Sequence, residues 1–173
     1  ERDVRVFRTS GTTSEARGTS AHRDLELYER AAFTMARYAL FPDRERMPLV
    51  MLAPHERELP DSSLSFMLTR FEEWFGAGAT WVFREGAVDV AALRAALDTR
   101  EPVALLGTSF AFVHAIDALG ASYALPAGSR VMQTGGFKGR SRVIAPAEMI
   151  ALLSRTFGVP ETFVVAEYGM TEL

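Results

Sequence analysis

The 173-residue sequence contains no cysteine. Disulfides, a thiolate zinc site and a cysteine nucleophile are therefore excluded within this stretch. Charge of one sign is also missing: 19 Lys and Arg stand against 22 Asp and Glu, a formal net charge of −3. That balance offers no strong positive field for nucleic acid and no basic tail for a membrane surface. No apolar run approaches the ~20 residues of a membrane span, and the opening residues lack the basic-then-apolar pattern of a secretory leader. These absences lead to the expectation of a protein in a reducing, cytoplasmic setting, with neither nucleic acid nor membrane as partner. Low-complexity tracts and fixed-period repeats are absent too. What remains is a globular mixture, 48% apolar and 24% charged, with enough apolar residues for the core of one domain or of one large part of a bigger protein.

Apolar runs of strand length alternate with helical patterns. Residues 4–8, 49–53, 80–83, 103–106, 130–133 and 162–166 read as strands. The spacing of Leu25, Tyr28, Ala32, Met35, Ala36 and Ala39 predicts a helix over 25–40, with Asp24 able to cap it and Phe41-Pro42-Asp43 ending it. Further helices are expected from Asp61, Ser62 or Ser63 to about Phe75 (closed by Gly76 and Gly78), over 90–97 behind Asp89, over 110–119 behind Ser109, and from Pro146 to Phe157 before Gly158. Strands apolar on both sides, alternating with helices, predict an α/β fold: a mainly parallel sheet with helices on both faces. In such sheets ligands bind beyond the carboxyl ends of the strands, which directs attention to the loops that follow them.

Three of these loops carry suitable chemistry. In the first, residues 9–18, five of the first six residues bear hydroxyls and the other is Gly11. Hydroxyls and close backbone N–H groups can wrap a polyphosphate, and Arg17 adds a guanidinium suited to phosphate oxygens. The glycine–lysine spacing of a Walker loop is missing. In the second, Gly135-Gly136-Phe137 permits backbone approach to a flat ligand, and Lys138, Arg140 and Arg142 follow as a local basic cluster. In the third, Tyr168-Gly169-Met170-Thr171-Glu172, a ring can stack on a base, a hydroxyl can reach phosphate and a carboxylate can hold Mg²⁺. Taken singly, each loop can also be read as an ordinary polar, basic or strand-end turn.

Together, in this order on strand ends, the loops resemble the ANL superfamily of adenylate-forming enzymes, which includes acyl-CoA synthetases, peptide-synthetase adenylation domains and luciferases. That family's phosphate loop reads Thr-Ser-Gly-Thr-Thr-Gly-x-Pro-Lys-Gly. Residues 9–18 match it, with Ser14, Ala16 and Arg17 as departures, and the Tyr-Gly-x-Thr-Glu motif is intact at 168–172. The wording Gly-Gly-Phe-Lys-Gly is similar to the acyl-protein synthetase branch that serves the fatty-acid reductase of bacterial bioluminescence; phenylacetate–CoA ligases are its nearest rival.

The resemblance implies part of the N-terminal, AMP-binding domain over residues 1–173, without the C-terminal lid. It implies ATP and Mg²⁺ as cofactors. Thr9, Ser10, Gly11, Thr12 and Thr13 would hold the β- and γ-phosphates with Arg17 nearby. Gly135, Gly136 and Phe137 would contact the nucleotide, and Tyr168 and Gly169 would lie beside adenine. Thr171 would touch the α-phosphate and Glu172 would bind the metal. The implied partners are a carboxylic acid, fatty acyl in preference to aryl, and a thiol acceptor on a protein or on CoA; an oligomer is compatible with this reading. The other class of reading is a non-catalytic nucleotide-binding or interaction fragment. Both ends of the chain abut motif-like residues, where domain ends are usually polar and loosely ordered, so a piece of a longer protein is expected.

Three histidines and a serine need weighing. His22 lies just beyond the phosphate loop. His55 follows a strand at the ligand end and reads as a surface residue. His114, with Phe110, Phe112, Val113 and Ile116 on one helix, reads as core. Ser109, in Gly107-Thr108-Ser109, resembles a strand–serine–helix elbow but lacks its second glycine. Phe110 and Phe112 are candidates for an acyl pocket or for plain core. The first test falls on Gly11, where a side chain would obstruct close backbone approach: Gly11→Val is expected to weaken ATP binding with the circular dichroism spectrum unchanged, and unchanged affinity would make 9–18 an ordinary surface loop.

Overall fold

A computed structural model describes residues 4–8, 18–135 and 144–167. Five strands form one sheet: β3 (Met47–Leu52), β4 (Gly76–Trp81), β7 (Ala104–Thr108), β8 (Arg130–Thr134) and β9 (Val164–Glu167). Their spatial order is β4-β3-β7-β8-β9 and every neighbouring pair is parallel. Counted among themselves in chain order they run 2-1-3-4-5, a doubly wound arrangement. Two small antiparallel pairs complete the strands: β1 (Arg5–Arg8) with β2 (Thr19–His22), and β5 (Phe83–Arg84) with β6 (Ala87–Val88) around the turn Glu85-Gly86. Among the described residues no helix is long and apolar enough to cross a membrane.

Period-two alternation sorts the strand side chains onto two helical layers. Leu49, Met51, Ala104, Leu106 and Met132 pack against α1 (Glu26–Ala39) and α2 (Ser63–Phe75). Val50, Leu52, Leu105, Val131 and Val164 pack against α3 (Val90–Leu97), α4 (Ser109–Leu119) and α5 (Pro146–Phe157). The expected α/β class is thus observed.

Local chemistry sets the boundaries. Of the three candidate caps before α2, Ser62 acts, accepting from the Ser65 N–H at 3.1 Å. Asp89 caps α3 through the Ala92 N–H at 2.9 Å, and Asp24 accepts from Glu26 N–H at 3.2 Å. α4 is capped by Thr108, one residue earlier than the sequence reading placed it. The strand expected at 80–83 starts at Gly76 instead. The chain passes from α2 into β4 with no turn, and Gly76 is needed there because a Cβ would sit 2.5 Å from the Glu72 carbonyl oxygen. The strand over residues 4–8 forms, but outside the parallel sheet, and β2, β5 and β6 were not anticipated. Residues 162 and 163 belong to a 3-10 turn before β9.

Among the described residues one charged side chain is buried. Arg130, 1% exposed at the start of β8, donates to the Leu40 carbonyl, to both carboxylate oxygens of Asp43 at 2.8 and 3.2 Å, and to the Gly128 carbonyl. It ties the end of α1 to the sheet. Arg130→Met leaves these acceptors without their donor, and chemical denaturation is expected to show a loss of about 3 kcal/mol. The hydrogen bond from Arg130 holds the Asp43 carboxyl below its usual value of 3.8. A carboxyl lowered on folding stabilises above its unfolded value, and that contribution is lost as the pH falls below 3.8. Asp43→Asn is therefore expected to be less stable at neutral pH and to lose less stability between pH 5 and pH 2 than the parent.

Candidate active site at the carboxyl edge of the sheet

A cavity of about 540 Å³ opens at the carboxyl ends of β8 and β9, on the α1–α2 face. That is within the range of small-molecule sites, about 300–1,000 Å³. Register and alternation explain its floor. Thr134 pairs with Glu167 across β8 and β9, so both side chains point to the same face, where the Thr134 hydroxyl donates to the Glu167 carboxylate. Met132 and Val165 lie two residues back on the same strands. α1 forms the roof with Ala31, Ala32, Met35, Ala36 and Ala39, and α2 closes one side with Met67 and Phe71.

The β1–β2 pair supplies the remaining wall through Phe7, Ser20 and His22. The His22 ring lies 5.4 Å from Phe7 and 6.1 Å from Tyr28, with its Nε2 3.0 Å from the Ser20 hydroxyl. Tyr28 donates to the Ser63 carbonyl at 3.1 Å. Burial, and secondarily the charge of Glu167, push the Tyr28 phenol up to about 12. The ionisable groups on the cavity wall, Glu167, Tyr28 and His22, leave it apolar beneath α1 and polar at the strand ends.

Each motif-bearing loop springs from this rim. Residues 9–17 connect Arg8 and Gly18, beside the register pair Phe7 and Ser20. Gly135, the first residue beyond β8, adopts φ +74°, and among the described residues nothing lies within 4 Å of the place a Cβ would take. Its backbone is thus open to a flat group. Tyr168 follows Glu167 directly. Of the site residues expected from sequence, Gly135 is described; Thr9, Ser10, Gly11, Thr12, Thr13, Arg17, Gly136, Phe137, Tyr168, Gly169, Thr171 and Glu172 lie outside the described residues, as do Lys138, Arg140 and Arg142.

Of the remaining readings, some are corrected and others are borne out. His114 is exposed, with its ring 6.1 Å from Phe110, because its turn of α4 faces away from the sheet. Phe112 is core on the opposite face from the cavity, and Phe110 packs against Phe83, so neither borders the cavity. His55 is half-buried, 4.6 Å from the Trp81 ring, with Nδ1 accepting from the Arg57 N–H. Ser109 is 1% exposed and bonded to groups at the end of β8, which removes it as a nucleophile. Tyr28 and Glu167 were missed as site residues, and Thr134, though it opens the second motif loop, was given no role. The first two belong to no motif, and only the register between β8 and β9 and the packing of α1 bring the three together.

The fold defined by this sheet and its two helical layers is similar to part of a solved ligase. One solved structure with this fold is malonyl-CoA ligase, in a ternary product complex with methylmalonyl-CoA and AMP bound: 96% of this chain matches 32% of that one at 18% identity, with a TM-score of 0.59. The likeness is one of fold, and the chain spans about a third of that ligase's length. No protein-family model and no curated protein matches the chain.

The environment of Tyr28 gives a direct test. Tyrosinate absorbance is expected to show one phenol titrating near 12, well above the ordinary value of 10. Tyr28→Phe should remove that component, and Glu167→Gln should lower it only part of the way, since burial is the larger cause. A component unchanged in Tyr28→Phe would show that this ring is not in the environment described.

Proposed function

We propose that this chain carries the nucleotide- and acid-binding part of an ATP-dependent ligase that activates a fatty acid as its acyl-adenylate and passes the acyl group to a thiol. One observation carries the reading. Three separate strand ends, each continuing into a segment with phosphate-, base- or metal-binding chemistry, meet at the rim of one cavity in a fold similar to a ligase solved with AMP bound.

The rim fits a nucleotide, because Gly135 leaves open the space that a Cβ would fill. Mg²⁺ is usually held by one or two carboxylates together with substrate phosphates, so the single carboxylate of Glu172 is a sufficient protein ligand. ATP, as co-substrate, supplies the α-phosphorus that the acid's carboxylate attacks and the pyrophosphate that leaves. The protein's part is positioning and charge stabilisation. Thr9, Ser10, Gly11, Thr12 and Thr13, with Arg17, would bind the β- and γ-phosphates; Gly135, Gly136 and Phe137 would contact the nucleotide; Tyr168 and Gly169 would serve adenine; Thr171 would orient the α-phosphate. The acid's carboxylate faces the strand ends while its chain runs beneath α1, where Ala32, Ala36, Met67 and Met132 offer apolar surface and no charge. This apolar channel favours a fatty acid over a short polar one. The thiol of a protein or of CoA then attacks the acyl carbonyl, and AMP leaves.

Pyrophosphate exchange into ATP by the full-length protein tests the reading, with fatty, aryl and short acids compared. Exchange is expected with fatty acids, while exchange with none of them would overturn it. Glu172→Gln keeps the size and removes the charge, and a loss of about 10²-fold or more is expected, as for other single charge-stabilising groups. Near-parental exchange in that variant would remove Glu172 from the site.

A further inference from the structure

We propose that Ser109 is a positioning residue for the nucleotide site, holding the exit of β8 through the Gly135 carbonyl; this rests on the adenylation reading above. Ser109 begins α4 directly after β7, where Thr108 pairs with Thr134, so its side chain lies beside the point at which the chain leaves β8. Its hydroxyl is 2.7 Å from the Gly135 carbonyl oxygen and 3.3 Å from that of Thr134, and it also contacts the Gln133 side-chain amide. Ser109 is 1% exposed and Gln133 8%. The Ser109 hydroxyl and the Gln133 amide are thus shielded from water, whereas Gly135 itself is exposed, and a buried amide left unpaired is costly.

The proton count fits this role. A serine hydroxyl has one proton and two lone pairs. An amide presents its N–H₂ instead of its oxygen after a half-turn, so Gln133 can donate to Oγ and leave the serine proton for Gly135. Gln133 points to the α4 face, whereas Thr134 points into the cavity. Ser109 thus grips the strand end from behind while the cavity occupies its front. The residue it grips has φ +74° and opens the Gly135-Gly136-Phe137 segment. Fixing that one peptide holds the point from which the segment proposed to face the nucleotide continues. The role requires a buried hydroxyl at the β7–α4 junction and needs no general base, which agrees with the exposure of His114.

The test compares Ser109→Ala with Thr108→Ala in the full-length protein. Thr108 caps the same helix through the Ala111 N–H at 3.3 Å, so its loss weakens α4 without removing the bond to Gly135. Hydrogen exchange of the peptide covering 134–143 is expected to quicken by up to about tenfold in Ser109→Ala, the effect of one lost hydrogen bond, and to stay near parental in Thr108→Ala. In pyrophosphate exchange, Ser109→Ala should raise KM for ATP by a similar factor and leave KM for the fatty acid unchanged. Ser109→Cys, a weaker donor of similar shape, should fall between and serves if the alanine variant does not fold. Equal quickening in both alanine variants would overturn the proposal, because Ser109 would then merely support α4. Quickened segment exchange with an unchanged KM for ATP would break the link to the nucleotide. Absence of acid-dependent exchange in the parent would sink the adenylation reading itself, while the hydrogen-exchange comparison still reports on the grip of Ser109.

Discussion

Arg130 carries a permanent charge into the interior, and the roof of the cavity depends on it. A guanidinium is stable there only if its donors are met and its charge is answered. Leu40, Asp43 and Gly128 do both. Two of these partners belong to the stretch that ends α1, so neutralising the cation also fastens the helix. At its other end the helix is fixed by Tyr28, whose hydroxyl reaches Ser63 at the start of α2. Between these points α1 is only lightly packed: of its 14 residues, Ala36 alone is buried. The helix stands as a span fixed at both ends, and the space beneath it is the cavity.

The two-sided sheet divides the labour at the site. Side chains of β8 and β9 that point toward α1 form the floor of the cavity, and those that point toward α4 and α5 form the larger core. Contact with a ligand and support of the strand ends can thus occur at the same residues of the sheet, from opposite faces. Strand addition reverses direction after β4, which places α2 on one face and α4 on the other, in keeping with right-handed crossovers. A fold of this kind hosts many chemistries, and the functional argument therefore rests on the loops at its rim.

Much of the architecture was legible because strong local signals agreed with tertiary packing. α3 and α5 occupy the expected residues, where Asp89, Pro146 and Gly158 mark the ends by backbone chemistry that needs no partner. The central strands were readable because both faces are buried and their sequences are continuously apolar. β2 was not, since Thr19-Ser20-Ala21-His22 has no apolar alternation and is a strand through pairing with β1. β5 and β6 are two residues each, below the length at which periodicity can be detected. His114 was misplaced because α4 is apolar on most sides, so its sequence does not mark the exposed face. The motif loops were visible as residue types in order. The cavity was not, for it arises from what α1 fails to fill.

That unfilled volume is written in alanines. Ala31, Ala32, Ala36 and Ala39 end at Cβ, and the room beneath the helix is the room their longer alternatives would occupy. Protein interiors are packed closely enough that one methylene is felt, so every enlargement on this underside subtracts directly from what can be held there. The strand ends and their loops lie on other elements and are untouched by such a change. On the proposed function, size selection and reaction chemistry are encoded in separate parts of the sequence, so substitutions along one helix would shift the cavity toward longer or shorter molecules and leave the strand ends constant.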